Sequence, residues 1–375
     1  MLPAGCGSVH PSRPAKSMNL ALVYNAKGAS PPAPRPRADT HAARELSQEE
    51  IDAECDSPET IAAVASALAS GGHEVVPLDA DEHLFDALRS RRFDFVFNLA
   101  EGRQGEAREA QVPAMLEFLG IPYTGSGPIA LALAHDKARA KEVWLAHGLA
   151  AARGVTVEPG RELPRDLPSA SAWIVKPIAE GSSKGVRDRN LVRSRADAAA
   201  RVREIHERFR QAALVEEFLD GREFTVALLG NLPDVRVLPI VEIDFSALPR
   251  GAKPLYSFEA KWEWDRPENP LPIFRCPAEL TDDLARRVSE LAVGAFRALG
   301  CRDWARVDVR CDSAGDPHLL EINPLPGILP NPEENSCFPK AARAAGLRYE
   351  EALLAVLDAA RERTERARAE GAATR

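Results

Sequence analysis

No apolar run in this 375-residue chain approaches the roughly 18 to 20 residues that span a bilayer, so nothing in it reads as a membrane-spanning helix. The first sixteen residues carry Pro, Gly and His where a secretory signal needs an unbroken apolar core, and the chain is read as cytoplasmic. An excess of basic charge is missing too: 48 Lys+Arg against 56 Asp+Glu leave a net charge of −8. Nucleic acid and membrane surfaces are therefore excluded as general partners, because both call for a basic face. The six cysteines, Cys6, Cys55, Cys276, Cys301, Cys311 and Cys337, form no C-x-x-C pair and no zinc spacing. They are read as reduced thiols that pack as small hydrophobes. With 24 Gly and 30 Pro, the chain is not of low complexity as a whole. No internal repeat is present. The length suggests two to three domains, with enough core to need neither disulfides nor structural zinc.

Strand and helix signals alternate in the first third. Residues 19–24 (NLALVY) read as a buried strand, 73–79 and 93–99 as two more. Between them, Ser57-Pro58-Glu59 opens a helix with an N-cap, a first-position proline and an early acid, and Gly71-Gly72 ends it. A second helix is expected over 82–91. This alternation predicts a parallel sheet in an α/β domain. The Pro-rich stretch 30–39 is expected to be a surface loop or flap. The expected division is a disordered leader 1–18, an N-terminal α/β domain 19–130, a central unit 131–230, a C-terminal unit 231–360 and a fraying charged tail 361–375. Met18 stands just before the first strand and is an alternative start.

The chemistry-bearing residues cluster at a hairpin over 305–323, whose turn signal is Asp312-Ser-Ala-Gly-Asp316. If Ala314 and Gly315 are the two loop residues, Asp308 faces Glu321 and Arg306 faces Asn323, all four on one face. Two opposed carboxylates repel unless a cation sits between them. Asp, Glu and Asn oxygens are hard ligands suited to Mg²⁺, and an adjacent Arg suits phosphate. A solvated polar face is the bland alternative, weakened by the rigid Pro324-Leu-Pro-Gly327 loop that follows.

Upstream, Lys176 ends an apolar strand and leads into Glu180-Gly-Ser-Ser-Lys-Gly185, whose backbone N–H groups can face phosphate oxygens. The spacing is not that of a Walker P-loop. The strand 214–219 has the form of one that lines a nucleotide pocket. His135-Asp136-Lys137 reads on its own as a solvated helix start with Lys141 and Trp144 below it, and 256–262 as an amphipathic surface segment.

Taken in order, these stretches resemble the D-alanine–D-alanine ligases of the ATP-grasp superfamily. The similar segments are Phe97-Asn-Leu99, 120–127 (GIPYTGSG), Asp136-Lys137, Val175-Lys-Pro177 with Glu180-Gly-Ser-Ser183, Val215-Glu-Glu217 with 221–226, Glu259-Ala-Lys261, Arg306-Val-Asp308 and Leu320-Glu-Ile-Asn-Pro324. The resemblance implies an α/β chain, α+β in its ATP-binding part. It implies a three-domain ATP-grasp architecture with an N-terminal parallel-sheet domain, and ATP held between the second and third domains. It implies phosphate contacts from Lys137 and Lys176 and an adenine-side strand with Glu216, Phe218 and Leu219. Glu223 becomes the ribose acid, Ser182 the loop serine that helps orient the substrate side, and Ser183 a cofactor-binding residue of the same loop. Asp308, Glu321 and Asn323 become ligands of two Mg²⁺ ions, with Mn²⁺ as the alternative. Arg306 stands beside the transferred phosphate, Lys261 on a closing loop, Gly327 near the acyl centre and Ser336 near the second amino acid's carboxylate. Small amino-acid substrates and a homodimer are implied as well.

The departures bear on substrate. The first strand leads into Tyr24-Asn-Ala-Lys-Gly28, where no acid matches the one that grips the first ammonium in the family. Trp262 replaces a tyrosine, Glu101-Gly102 a His-Gly pair and Lys184 an apolar residue, and the loop 328–335 is longer than usual. D-alanyl-D-alanine for the cell wall is the leading product. Another pair of amino acids, or another carboxylate and amine, is the alternative, ahead of a non-catalytic ATP-binding protein.

Overall fold

The computed structural model describes residues 17–28 and 46–373. The expected leader, apart from residues 17 and 18, and the Pro-rich stretch lie outside them. The ten helices among these residues are α1 (Gln48–Asp52), α2 (Pro58–Ser70), α3 (Leu84–Ser90), α4 (Gln111–Leu119), α5 (Pro128–His135), α6 (Lys137–Ala146), α7 (Arg195–Phe209), α8 (Asp282–Leu299), α9 (Cys337–Ala344) and α10 (Tyr349–Ala373).

Strands β1 (Asn19–Tyr24), β2 (Glu74–Asp79) and β3 (Phe95–Asn98) form a parallel sheet in the order β2-β1-β3. Helix α2 begins where the sequence signals it: the Ser57 hydroxyl accepts the Thr60 N–H at 3.2 Å, and Pro58 occupies the first turn, whose N–H groups have no helical partner. Its Val64 and Leu68 pack with Leu20 and Leu22 on one face of the sheet, while Leu84 and Leu88 of α3 pack with Ala21 and Val23 on the other. The period-2 alternation of β1 thus feeds two cores.

A second, antiparallel sheet has the order β4-β7-β5-β6, from β4 (Gly154–Val157), β5 (Trp173–Pro177), β6 (Leu191–Val192) and β7 (Ala213–Glu217). The third contains β8 (Glu223–Leu229), β9 (Arg236–Val237), β10 (Val241–Ile243), β11 (Phe274–Arg275), β12 (Trp304–Cys311) and β13 (Pro317–Asn323). Phe224, Val226, Val307 and Val309 bury one face of this sheet against Val288, Ala292 and Phe296 of α8. The alternate residues of β8 and β12 turn the other way, which leaves Glu223, Thr225, Arg306, Asp308 and Arg310 on a shared face.

Three expectations are corrected. Strand β8, grouped by sequence with the central unit, belongs to the third sheet: it pairs with β12 along its whole length, from Glu223 opposite Arg310 to Leu229 opposite Trp304. The helix expected over 135–147 is α6, which starts two residues later: His135 ends α5, and the Asp136 carboxylate caps α6 by accepting the N–H groups of Ala138 and Arg139, both at 3.0 Å. The tail from residue 361 continues α10 to Ala373. Arg363 holds it, since its guanidinium donates to both oxygens of the fully buried Asp303, at 3.0 and 2.9 Å.

Candidate functional site

The hairpin of β12 and β13 sets the geometry. Arg306 pairs with Asn323 and Asp308 with Glu321, as the sequence predicts. The turn itself differs, because Cys311 pairs with Pro317 and the residues between them, not two, form the loop. A bulge after Asp308 takes up one residue on β13 and returns the pairing to the expected register at the far end. Arg306 Nη2 lies 3.0 Å from Asp308 Oδ2 and 3.3 Å from Glu321 Oε1, and Asn323 Nδ2 donates to Glu321 Oε1 at 3.3 Å.

The two carboxylates titrate in opposite directions. Burial, with Glu321 opposite, pushes Asp308 up to about 7 against the pull of Arg306. Burial would raise Glu321 too, but Lys137, Arg306 and Lys176 together hold it well below the usual carboxylate range. Asp308 Oδ1 is buried with no hydrogen-bond partner. An orphaned carboxylate oxygen facing a second acid is what a cation would neutralise.

Cations reach this face from two other elements. Lys137, at the start of α6, is buried, not solvated: its Nζ lies 3.6 Å from Glu321 Oε2 and also donates to the Glu180 carbonyl. Lys176 ends β5 and meets Glu216 of β7 at 2.6 Å. Glu216 takes a second lysine, Lys141, also at 2.6 Å. Burial raises the Glu216 pKa less than the two lysines lower it, so the carboxylate is charged. Lys141 is missed by sequence reasoning, which places it on a solvated helix face.

The pocket beside the hairpin is lined by Lys137, Lys176, Ser182, Ser183, Glu216, Phe218, Leu219, Glu223, Asp308 and Glu321 among the expected residues. Glu223 is held at 2.8 Å by Arg310, whose guanidinium lies 4.5 Å from the Phe218 ring centre. The remaining expected residues border this group. Lys261 Nζ donates to Ser182 Oγ at 3.3 Å. Ser336 Oγ donates to the Gly327 carbonyl at 2.9 Å and accepts the Leu329 N–H, which closes the loop after β13 on itself. The next residue, Cys337, lies within electrostatic reach of Arg306 and Asp308.

The Gly/Ser loop is fixed from several sides. Ser182 and Ser183 both adopt left-handed backbone conformations, with φ of 49° and 60°, each of which costs about 1–2 kcal/mol for a non-glycine residue. Ser183 Oγ donates to the Tyr256 carbonyl at 2.9 Å, and Trp262 Nε1 donates to the Ser182 carbonyl at 3.0 Å. The segment 256–262 is thus packed against the loop: Ser257, Phe258 and Ala260 are buried, and the turn Glu259–Trp264 presents Lys261 and Trp262 to it.

An acid that the sequence did not single out reaches this loop. Glu54 Oε1 accepts the Gly181 N–H at 2.8 Å, Arg108 Nη2 lies 2.7 Å from both Glu54 oxygens, and Lys184 Nζ pairs with Oε2. It comes from beyond the Pro-rich stretch, and only its proximity in the fold reveals it.

Residues 169–358 match the family model described as D-ala D-ala ligase C-terminus. A D-alanine–D-alanine ligase of Cupriavidus metallidurans is 37% identical over 301 residues, covering 79% of this chain and 85% of that protein. One from Haemophilus influenzae is 35% identical over 301 residues, 79% of this chain and 93% of that protein. An uncharacterized protein of Sinorhizobium fredii, y4sG, is 39% identical over 308 residues, 80% of this chain and 87% of that protein. Among solved structures, a D-alanine–D-alanine ligase of Bacillus anthracis complexed with ATP superposes with a TM-score of 0.68 at 22% identity, covering 93% of this chain and all of that one. That last likeness bears on the fold.

Proposed function

Since the chain belongs to the D-alanine–D-alanine ligase family, we propose that it is an ATP-dependent ligase that joins two D-alanine molecules during synthesis of peptidoglycan precursors. The architecture is that of the ATP-grasp enzymes. A carboxylate is a poor electrophile, being anionic with oxide as its leaving group, and ATP serves to supply a better one. The carboxylate of the first D-alanine attacks the γ-phosphorus, the bond to ADP breaks, and an acyl phosphate forms. The amine of the second D-alanine then attacks the acyl carbon, and phosphate leaves.

In this reading the chain's task is alignment and charge compensation. Lys137 and Lys176 hold the phosphates, and Glu216 keeps Lys176 in place. Phe218 and Leu219 flank the adenine side, and Glu223 meets the ribose. Arg306 steadies the charge on the phosphoryl group in transfer. Ser182, Ser183 and Lys261 close over the phosphates and exclude water, which would otherwise hydrolyse the acyl phosphate. Gly327 lies by the acyl centre, and Ser336 shapes the loop near the second carboxylate.

Asp308, Glu321 and Asn323 fit two Mg²⁺ ions, or Mn²⁺ in their place. The supporting observation is the orphaned Asp308 Oδ1 opposite Glu321. Among the described residues no three His, Cys, Asp or Glu side chains gather as a metal cluster. Two carboxylates and an amide would then share the ions with phosphate oxygens and water, which suits Mg²⁺. When bound, Mg²⁺ supplies Lewis-acid polarisation of phosphoryl oxygens.

The observation that carries the proposal is the face shared by Arg306, Asp308, Glu321 and Asn323, with Lys137 and Lys176 beside it. The test is the purified chain with ATP, Mg²⁺ and a panel of D- and L-amino acids, read by phosphate release and by the dipeptide formed. D-alanine should release phosphate and yield D-alanyl-D-alanine. Release with another pair but not with D-alanine would move the substrate, and no release with any would overturn the reading. Asp308→Asn should lose at least about a hundredfold in turnover, in line with the removal of one charge-stabilising group; unchanged turnover would remove the metal assignment. Another pair of amino acids, or another carboxylate and amine, is the alternative that the same panel reads. We place this chemistry in the cytoplasm, on a homodimer.

A further inference from the structure

Two loops reach the site from different parts of the chain. One runs from Tyr256 to Asp265 and carries Lys261 and Trp262 onto the Gly/Ser loop. The other follows β13 and ends at Ser336, whose hydroxyl closes it on Gly327. Both lie outside the three sheets, so no strand ladder sets one against the other. A single carboxylate joins them.

That carboxylate is Asp265, at the end of the first loop. It accepts the Tyr256 hydroxyl at 2.8 Å and the Leu271 N–H at 2.9 Å. The Asn335 amide nitrogen reaches both of its oxygens, at 3.0 and 2.9 Å, and also donates to the Leu271 carbonyl at 2.8 Å. An amide has two protons to give, so one goes to that carbonyl and the other is shared by the carboxylate oxygens. Asp265 thus ties the two ends of the first loop together. It also fastens them, across 70 residues, to the residue before Ser336. Tyr256 lines the phosphate pocket, and its carbonyl takes the Ser183 hydroxyl at 2.9 Å. A displacement at Asn335 is therefore passed two ways: to Ser336 and Gly327 along the chain, and to the Gly/Ser loop through Asp265 and Tyr256.

Resting on the ligase reading above, we propose that Asp265 and Asn335 are positioning residues that lock the loop beside the second substrate to the segment that closes over the phosphates. Neither lines the pocket, and they act through Ser336 and Lys261. The lock decides between two fates of the acyl phosphate. When the second amine attacks the acyl carbon, a C–N bond forms, the C–O bond to phosphate breaks and the amine loses a proton. When water attacks, a new C–O bond forms, the same bond to phosphate breaks, water loses a proton and the donor carboxylate returns. Each fate releases one phosphate, but only the first yields a dipeptide. Locked loops place the amine while water is shut out. Unlocked, they let hydrolysis compete.

The experiment compares wild type with Asn335→Ala and Asp265→Asn, with Glu333→Ala, an exposed position on the same loop, as the control. The substrate is the amino acid turned over best in the panel, and phosphate released and dipeptide formed are measured in the same sample. In Asn335→Ala the ratio of phosphate to dipeptide should rise about tenfold over wild type, the low end for a lost hydrogen bond to a charged group, while KM for ATP stays within about twofold. The ratio should fall back as the amino acid is raised, because more amine competes with water. Asp265→Asn keeps the shape but sets one amide nitrogen against another, and should raise the ratio as well. Glu333→Ala should keep the wild-type ratio. A merely structural role would lower turnover and leave the ratio where it is. Wild-type ratios in both Asn335→Ala and Asp265→Asn, or an equal rise in Glu333→Ala, overturn the lock while the ligase reading stands. A wild type that turns over no amino acid overturns the ligase reading, and this inference with it.

Discussion

The clearest energetic consequence concerns Glu216, which holds Lys141 and Lys176 at 2.6 Å each while almost wholly buried. Glu216→Gln keeps the shape and removes the charge, leaving two lysines within one buried group. At an effective dielectric constant of about 20, each pair is worth about 6 kcal/mol of gross Coulomb attraction, most of it offset by desolvation. The net cost of breaking such a pair by removing one partner is about 3–5 kcal/mol. Lys141 takes most of it, since burial already lowers its pKa, whereas Lys176 keeps Glu321 and Glu223 nearby. A lysine that falls from about 10.4 to 7 loses about 4.6 kcal/mol before it discharges at neutral pH, which caps the penalty near the same figure. With an unfolding entropy of about 2.1 cal/mol/K per residue over 375 residues, the midpoint should drop by about 4–6 °C. KM for ATP should rise about tenfold as Lys176 loses its anchor, the equivalent of about 1.4 kcal/mol. Thermal unfolding and ATP saturation measure the two effects. Adding Lys141→Met to Glu216→Gln should recover stability, because the stranded charge is gone. A Glu216→Gln protein that unfolds within about 1 °C of wild type, or a double variant whose losses simply add, would refute the reasoning.

Two further outcomes follow from buried acids elsewhere. Asp56 is pushed up to about 7 by burial against a weaker pull from Lys27, from a reference value of 3.8. Between those values the folded chain keeps a proton that the unfolded chain has released, so stability falls as pH rises through that window and is level above it. Asp56→Asn should therefore gain on wild type by about 2–3 kcal/mol more at pH 8 than at pH 5 in urea unfolding, and equal gains would contradict the shift. Asp303, with φ of 64°, accepts from Gly125 N–H at 2.8 Å, Asn231 Nδ2 at 2.9 Å and Arg363, joining the first domain, the third sheet and α10. Asp303→Ala should cost about 3–5 kcal/mol and Asp303→Asn less, since Asn tolerates that backbone and keeps part of the hydrogen bonding. An alanine variant as stable as wild type would show the network to be dispensable.

What could be read from the sequence was whatever depends on local period. Alternation at every second residue places Arg306 and Asp308 on one side of β12 and Glu321 and Asn323 on one side of β13 without knowledge of the turn. The two-residue loop was wrong, yet the bulge after Asp308 absorbs one residue and restores the same opposition at the functional end. Helix α2 was legible because its Ser57 cap and Pro58 act within one turn. What a face meets is a different matter. Lys141 belongs to a short, polar helix whose sequence has no strong apolar stripe, so its burial comes from outside: Glu216, 75 residues on, and the carbonyl of Leu319, to which its Nζ donates at 3.2 Å. Glu54 meets Gly181 across 127 residues and Arg108 across 54. Strand β8 was misassigned because a hydrophobic run shows that a strand is buried on both faces, not which strand lies beside it. The same division runs through Glu216 and Glu223. Their places on consecutive strands were evident. Their roles depend on partners, two lysines for one and Arg310 for the other, supplied by α6, β5 and β12. A nucleotide that approaches this pocket therefore meets carboxylates already oriented by buried cations, and replacing Lys141 or Arg310 should disturb its binding through those carboxylates.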